Sequence, residues 1–260
     1  MPRRLSYRQG TPNWVELLTT DPEGARSFYG RLFHWEFEER PMYGGSACSV
    51  AVMNDGVVAA LVSPAPGTAT QETSATWRTY LAVDDVDATA TGFEAAGGRL
   101  LTPPVDALES GRVAFGEDVI GVGVGLWQAK DHIGATVVNE PGAFIWSELM
   151  TPRTEAAAAF YEQVFGLTTT TVDLAGTPFT GFTVGGEMIG GLIPPQREGV
   201  QPRWIVYFCV ADVDEAVERV GKLGGAVVHG PIDTPVGPLA ALRDPQGAAF
   251  SIWAFNGETQ

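Results

Sequence analysis

The chain is 260 residues long, with 31 acidic against 16 basic residues and a formal net charge of −15. That balance excludes a nucleic-acid partner and an anionic membrane surface, because both are held by clustered lysine and arginine. At 45% hydrophobic and 18% charged the chain can bury a core, which excludes disorder, and no apolar run approaches the ~18 residues of a membrane span. The opening MPRRLSYRQGTPNW is basic, but no apolar stretch follows it, so no secretory signal is read. Two cysteines, Cys48 and Cys209, are too few for a disulfide scaffold. A reduced, soluble, cytoplasmic protein is the expectation.

WVELL at 14–18 predicts a short strand running into Asp21-Pro22, a helix start with proline near the first turn. Ala25, Phe28, Tyr29, Leu32 and Phe33 then recur at helical spacing. A glycine-rich hairpin is expected around 44–62. WRTYLAVDD at 77–85 is a strand ending in an aspartate that caps the next helix; that helix stops at Gly97-Gly98, and GVGVGLW at 121–127 closes the segment. The same grammar returns as WSELM, Thr151-Pro152, a helix carrying Ala157, Phe160, Tyr161, Val164 and Phe165, and a hairpin around 176–193. WIVYFCVAD, a helix with Val213, Ala216, Val217, Val220 and Leu223 ending at Gly224-Gly225, and GAAFSIW complete it. Trp14, Glu16, Leu17, Phe28, Tyr29 and Phe33 stand in order over Trp146, Glu148, Leu149, Phe160, Tyr161 and Phe165. The chain is therefore a duplicated module: 11–128, a linker over 129–143, and 144–255. Each half reads as βαβββ, preceded or followed by a βα element.

The FY-x-x-x-F helices, the VDD strand and Asp244-Pro245-Gln246-Gly247, with Asp118-Val119-Ile120-Gly121 as its degenerate copy, resemble the vicinal oxygen chelate superfamily. That superfamily includes glyoxalase I, bleomycin-resistance proteins and extradiol dioxygenases. RQGTPNWVELLTTD and HIGATVVNEPG look like a tandem-module actinobacterial subgroup that includes a mycobacterial culture-filtrate antigen. The resemblance covers nearly the whole chain. It implies an α+β fold whose paired βαβββ units form one incompletely closed mixed barrel around a cavity, with the helices outside. It also implies metal ligands at three recurrent positions, which here hold Trp14, Arg78 and Gly125, and in the second copy Trp146, Ile205 and Ser251. None of these is His, Glu or Gln, and His34, His132 and His229 fall on no expected cavity strand. No metal and no cofactor is expected.

Strand alternation gives independent support. Val15, Leu17, Leu81, Val83, Val122, Val124 and Leu126 share one apolar parity, suited to packing under helices. The other parity carries Trp14, Glu16, Arg78, Tyr80, Gly123, Gly125 and Trp127, and in the second copy Trp146, Glu148, Ile205, Tyr207, Ser251 and Trp253. A mixed, aromatic-rich face with carboxylates is what a ligand cavity presents. Trp14, Trp127, Trp146, Trp253, Tyr80 and Tyr207 read first as core filler, the functional alternative being a stacking box for a planar molecule with the tyrosine hydroxyls orienting it. Gly123 and Gly125 are read as leaving volume in the barrel. Glu16 and Glu148 are general acid–base candidates in an aromatic pocket, the structural alternative being an ion pair with Arg78 or capping of buried backbone. His132 reads as a hydrogen-bonded structural histidine, Cys48 and Cys209 as buried apolar thiols, and 121–125 as no phosphate loop, since no helix follows.

The leading functional expectation is a metal-independent protein that binds a small aromatic or heterocyclic molecule, in sequestration or secondary metabolism. The competing one is an isomerase, lyase or oxygenase-like enzyme on a polyketide-type or α-oxo substrate. In it Glu16 or Glu148 moves a proton, Tyr80 or Tyr207 stabilises an oxyanion, and Arg78 holds an anionic group. An exported protein acting through its surface ranks last, because nothing in the sequence supports export. Tandem duplication lets one chain build what single-module relatives build as dimers, so a monomer is expected, with a homodimer the alternative.

Overall fold

The computed structural model describes residues 3–41, 47–64 and 75–256. The first half runs β1 (Pro12–Leu18), α1 (Pro22–Phe33), β2 (Glu36–Pro41), β3 (Ala47–Met53) and β4 (Gly56–Val62). It repeats the pattern with β5 (Thr76–Ala82), α2 (Val86–Ala95), β6 (Arg99–Ala107), β7 (Gly111–Glu117) and β8 (Gly123–Ala129). The second half repeats both units as β9 (Phe144–Met150), α3 (Thr154–Phe165), β10 (Thr168–Leu174), β11 (Thr177–Val184), β12 (Glu187–Ile193), then β13 (Arg203–Cys209), α4 (Val213–Lys222), β14 (Ala226–Ile232), β15 (Leu239–Arg243) and β16 (Ala249–Trp253). Both expected hairpins are present, although residues 44–46 of the first lie outside the described residues. Among the described residues no helix is long and apolar enough to cross a membrane.

The α+β architecture of tandem modules is as the resemblance implied, but the barrel is not shared. Each half holds two βαβββ units and forms its own eight-stranded mixed sheet, in the order β2-β3-β4-β1-β5-β8-β7-β6 and β10-β11-β12-β9-β13-β16-β15-β14. The reason lies at the centre of each sheet. There β1 pairs antiparallel with β5, and β9 with β13, joining the two units of one half directly.

The helices cover the outer faces of the sheets, and those faces are turned toward each other. One core joins Phe28, Leu32 and Phe33 of α1 to Val15 and Leu17 of β1, and also to Phe208 of β13 and Phe250 of β16. A second core joins Phe93 of α2 and Phe160 of α3 to strands of both sheets. The helices are thus on the outside of each half but in the interior of the molecule.

Two buried polar links cross between the halves. Tyr29 of α1 donates to Asp244 Oδ2 (3.0 Å) in the turn before β16, and accepts from Trp77 Nε1 (2.9 Å). Asp244 Oδ1 is held by the backbone amides of Gln246 (2.9 Å) and Ala248 (2.8 Å). The reciprocal link runs from Tyr161 of α3 to Asp118 Oδ2 (3.0 Å), with Trp204 Nε1 donating to Tyr161 at 3.1 Å. The FY and D-P-x-G motifs that carried the resemblance are therefore two ends of one inter-module contact. Both tyrosines are fully buried, and burial holds both aspartates above the usual carboxylate range.

Candidate functional site

Alternation along β1, β5 and β8 divides each strand's residues between two environments. Val15, Leu17, Leu81, Val124 and Leu126 enter the two cores under the helices. Trp14, Glu16, Tyr80 and Trp127 face inward and, with Arg78, line a cavity of about 320 Å³. Glu16 stands directly opposite Arg78, and Trp14 opposite Tyr80. Phe115 of β7 completes an aromatic wall, and Arg40, Cys48 and His132 reach the same cavity.

Glu16 is buried and accepts a hydrogen bond from Tyr80 Oη at 3.1 Å. Burial raises its pKa, against the lowering pull of the Arg78 guanidinium and the Tyr80 hydroxyl. Arg78 lies over the Phe115 ring at 4.5 Å, a cation–π contact that holds its charge beside the carboxyl. A buried carboxyl beside a fixed cation gives this end of the cavity a polar pair, in which the guanidinium can neutralise negative charge on a ligand oxygen.

The second half contains the same motif in a closed form. Glu148 accepts from Tyr207 Oη at 2.6 Å and from Trp146 Nε1 at 3.2 Å, with Ile205 in the place of Arg78. Burial raises Glu148 too, and Tyr207 stands well above its ordinary value through burial and the adjacent carboxylate. Ser251 faces Tyr207 across β16, and Trp253 donates to Val236 O at 3.2 Å while its ring meets Phe255. Trp14 and Trp127 thus belong to one inner face, Trp146 and Trp253 to another. The single box of four tryptophans does not form, because each half closes its own sheet.

The glycines act differently from the expectation. A Cβ on Gly125 would fall inside the Tyr80 ring, and one on Gly123 would meet Phe115 at 3.1 Å. Their missing side chains seat aromatic rings against β8 rather than leaving empty volume, and Gly125 thereby aims the Tyr80 hydroxyl at Glu16. Gly125→Ala is expected to cost about 1–3 kcal/mol by overpacking and to break the Tyr80–Glu16 bond. Gly123→Ala is expected to cost less. Urea unfolding of the two variants checks this, and equal losses would contradict the ring-seat role.

Three groups line the cavity that the sequence did not place there: His132, Arg40 and Cys48. His132 lies in the segment after β8 and turns its ring edge-on to Trp14 (4.5 Å) and Trp127 (5.4 Å), while its carbonyl accepts from Trp127 Nε1 at 2.7 Å. Burial and then Arg40 lower its pKa to about 4, so its imidazole is neutral. The signal available was Trp127 five residues upstream, but a coil histidine gives no periodicity. Arg40 sits on β2, whose polar EFEERP carries no alternation. Cys48 lines the cavity, where burial and the charges of Glu16 and Glu39 push its thiol up to about 11. The sequence reads Cys48 as a buried apolar thiol; it is half-buried and lines the cavity beside charged groups. Cys209 is also raised to about 11, mainly by burial.

The fold family implies a divalent metal, and the residues present do not fit one. Among the described residues no three His, Cys, Asp or Glu side chains group closely enough to hold an ion. The cavity's buried carboxyl is Glu16, already hydrogen-bonded by Tyr80 and faced by a guanidinium that repels a dication.

A family model described as glyoxalase/bleomycin resistance protein/dioxygenase superfamily matches residues 11–138 and again 131–252. A Mycobacterium tuberculosis protein named "Putative glyoxylase CFP32" is 45% identical over 255 residues, covering 97% of each chain. The anthracycline biosynthesis protein DnrV of Streptomyces peucetius is 34% identical over 260 residues, covering 95% of this chain and 94% of that one. Among solved structures, the Mn(II)-bound glyoxalase from Novosphingobium aromaticivorans superposes with a TM-score of 0.62 at 16% identity, over 97% of this chain and 86% of that one. The 2,3-dioxygenase LapB from Pseudomonas sp. KL28 gives 0.65 at 15% identity, over 98% and 96%. At such identities the two structures bear on the fold alone.

Proposed function

The chain belongs to the glyoxalase/bleomycin resistance protein/dioxygenase superfamily, and we propose that its first module binds a small planar aromatic or heterocyclic molecule without a divalent metal. The observation that carries this reading is the aromatic-walled cavity in which Glu16, Tyr80 and Arg78 form one polar end. Trp14, Trp127 and Phe115 offer ring faces and edges to a flat ligand, and the polar end takes a carbonyl or phenol oxygen. The relative named for anthracycline biosynthesis is in keeping with a polyketide-type aromatic and with a place in secondary metabolism. The donor set supports metal independence, since an arginine opposite the carboxyl supplies the positive charge.

A second reading rests on the raised pKa of Glu16. A protonated carboxyl at the polar end of a pocket is a general acid, and its conjugate base a proton acceptor. An isomerase or lyase acting on a polyketide-type or α-oxo substrate would use Glu16 for that transfer and Arg78 to hold the resulting oxyanion.

Titration of the metal-stripped protein with a dihydroxyanthraquinone, followed by tryptophan fluorescence and mass spectrometry, separates the two. Saturable quenching with unchanged probe supports binding, and a new product mass supports the enzyme. Absence of saturable quenching, restored by adding Mn(II) or Zn(II), would overturn the metal-free reading.

A further inference from the structure

The inner face of the second sheet carries two arginines that no acid answers. Arg203 opens β13 on the face of Ile205 and Tyr207, opposite Met150 of β9. Arg243 ends β15 opposite Ala249 of β16, and its neighbour Leu242 is buried in the core on the other face. Both guanidiniums therefore emerge on the inner face at one end of the sheet, with the small Ala249 on the strand between them. Arg203 is half-buried and Arg243 exposed.

Among the described residues neither arginine has a hydrogen-bond or ion-pair partner. Burial, and then the neighbouring Arg243 charge, holds Arg203 below the ordinary arginine range. Arg26, Arg99 and Arg112, by contrast, are answered by Glu39, Glu117 and Asp87. Glu148 lies on the same inner face, but it is occupied by Tyr207 and Trp146. Two adjacent cations without a counter-charge repel each other, and a bound anion relieves that repulsion.

We propose that this end of the second inner face is an anion site, which takes the carboxylate or phosphate group of a small molecule between Arg203 and Arg243. Guanidinium forks bind planar and tetrahedral oxyanions through paired N–H donors. The site is separate from the first cavity, and its occupancy does not depend on the function proposed there.

Titration calorimetry of the intact protein at low salt, with inorganic phosphate and with benzoate as probes, tests this. One site per chain is expected, weakened about tenfold or more in both Arg203→Gln and Arg243→Gln and by added salt. The exposed Lys222→Gln leaves it unchanged. Because the two cations repel, each arginine variant is expected to keep or raise the melting temperature without ligand. Phosphate alone binding points to a phosphate-bearing ligand, benzoate alone to an aromatic acid, and either supports the site. No saturable heat with either probe, affinity unmoved by both substitutions, or a fall in melting temperature marking the arginines as structural braces would overturn it.

Discussion

Asp244→Ala is expected to lower the stability of the whole chain by about 3–4 kcal/mol, the largest loss from any single polar substitution. The carboxylate accepts from Tyr29 and from the amides of Gln246 and Ala248. Its removal strands buried donors, at about 1–3 kcal/mol for each group left unsatisfied. Partial relaxation keeps the total below the simple sum. In a chain of this size the loss corresponds to roughly 10 °C in melting temperature. Tyr29→Phe removes one of the same bonds and is expected to cost about 2 kcal/mol, with non-additivity of about 1–2 kcal/mol in the double mutant. Breaking the exposed Lys222–Glu218 pair is expected to leave stability unchanged. Calorimetry is expected to show one transition in every case, because both hydrophobic cores draw side chains from the two halves. A loss under about 1 kcal/mol in Asp244→Ala would mean the halves are not joined through this contact.

The second large effect is expected at Glu16. If the carboxyl donates its proton to a ligand oxygen, affinity rises as pH falls through its raised pKa. Glu16→Gln keeps a donor and is expected to flatten that pH dependence. Glu16→Ala removes the donor and leaves the Tyr80 hydroxyl without its acceptor, weakening binding ten- to a hundredfold, about 1.5–3 kcal/mol. A catalytic role gives another pattern: Glu16→Gln would retain affinity while turnover falls by about 10²–10⁴. Stability carries the same sign. A carboxyl whose pKa is raised on folding contributes stability that is full below the ordinary carboxylate range and is lost as pH rises through the folded value. Glu16→Gln is therefore expected to remove part of the decline in melting temperature between acid and neutral pH. Affinity that is independent of pH in the wild type and unchanged in Glu16→Ala would dismiss the residue from the site.

The duplication, the helices and the face of each central strand were legible in the sequence because apolar periodicity marks them: Val15 and Leu17 against Trp14 and Glu16, or Phe28 and Tyr29 on α1. The number of sheets was not. β2 and β10 are polar, and β2, β10 and β14 are all largely exposed, so EFEERP and TTTTVDL announce no buried face and the apolar residues of AVVHGPI do not alternate with polar ones. Without them each half looks like one βαβββ unit with a spare βα, and two such halves suggest a common barrel. The error then passed to the site, since a shared barrel would gather Trp14, Trp127, Trp146 and Trp253 around one ligand. The pairing of Tyr29 with Asp244 was hidden for another reason: both residues were visible as motifs, but a contact spanning the two halves leaves no local pattern. Glycine was misread at Gly125, where a missing side chain makes room for a neighbouring ring rather than for a guest.

The back-to-back packing of the outer faces has a consequence for how such a chain changes over generations. The shared region is the helical interior, where a substitution in one half is felt by the other and the reciprocal tyrosine–aspartate contacts keep the copies matched. The inner faces share no wall, so a change in one leaves the other's shape intact. Arg78 against Ile205 and Gly125 against Ser251 show the copies already apart on those faces, while Tyr29 and Tyr161, Asp244 and Asp118 remain alike. One gene thus carries a matched seam between its two copies and two inner faces free to diverge.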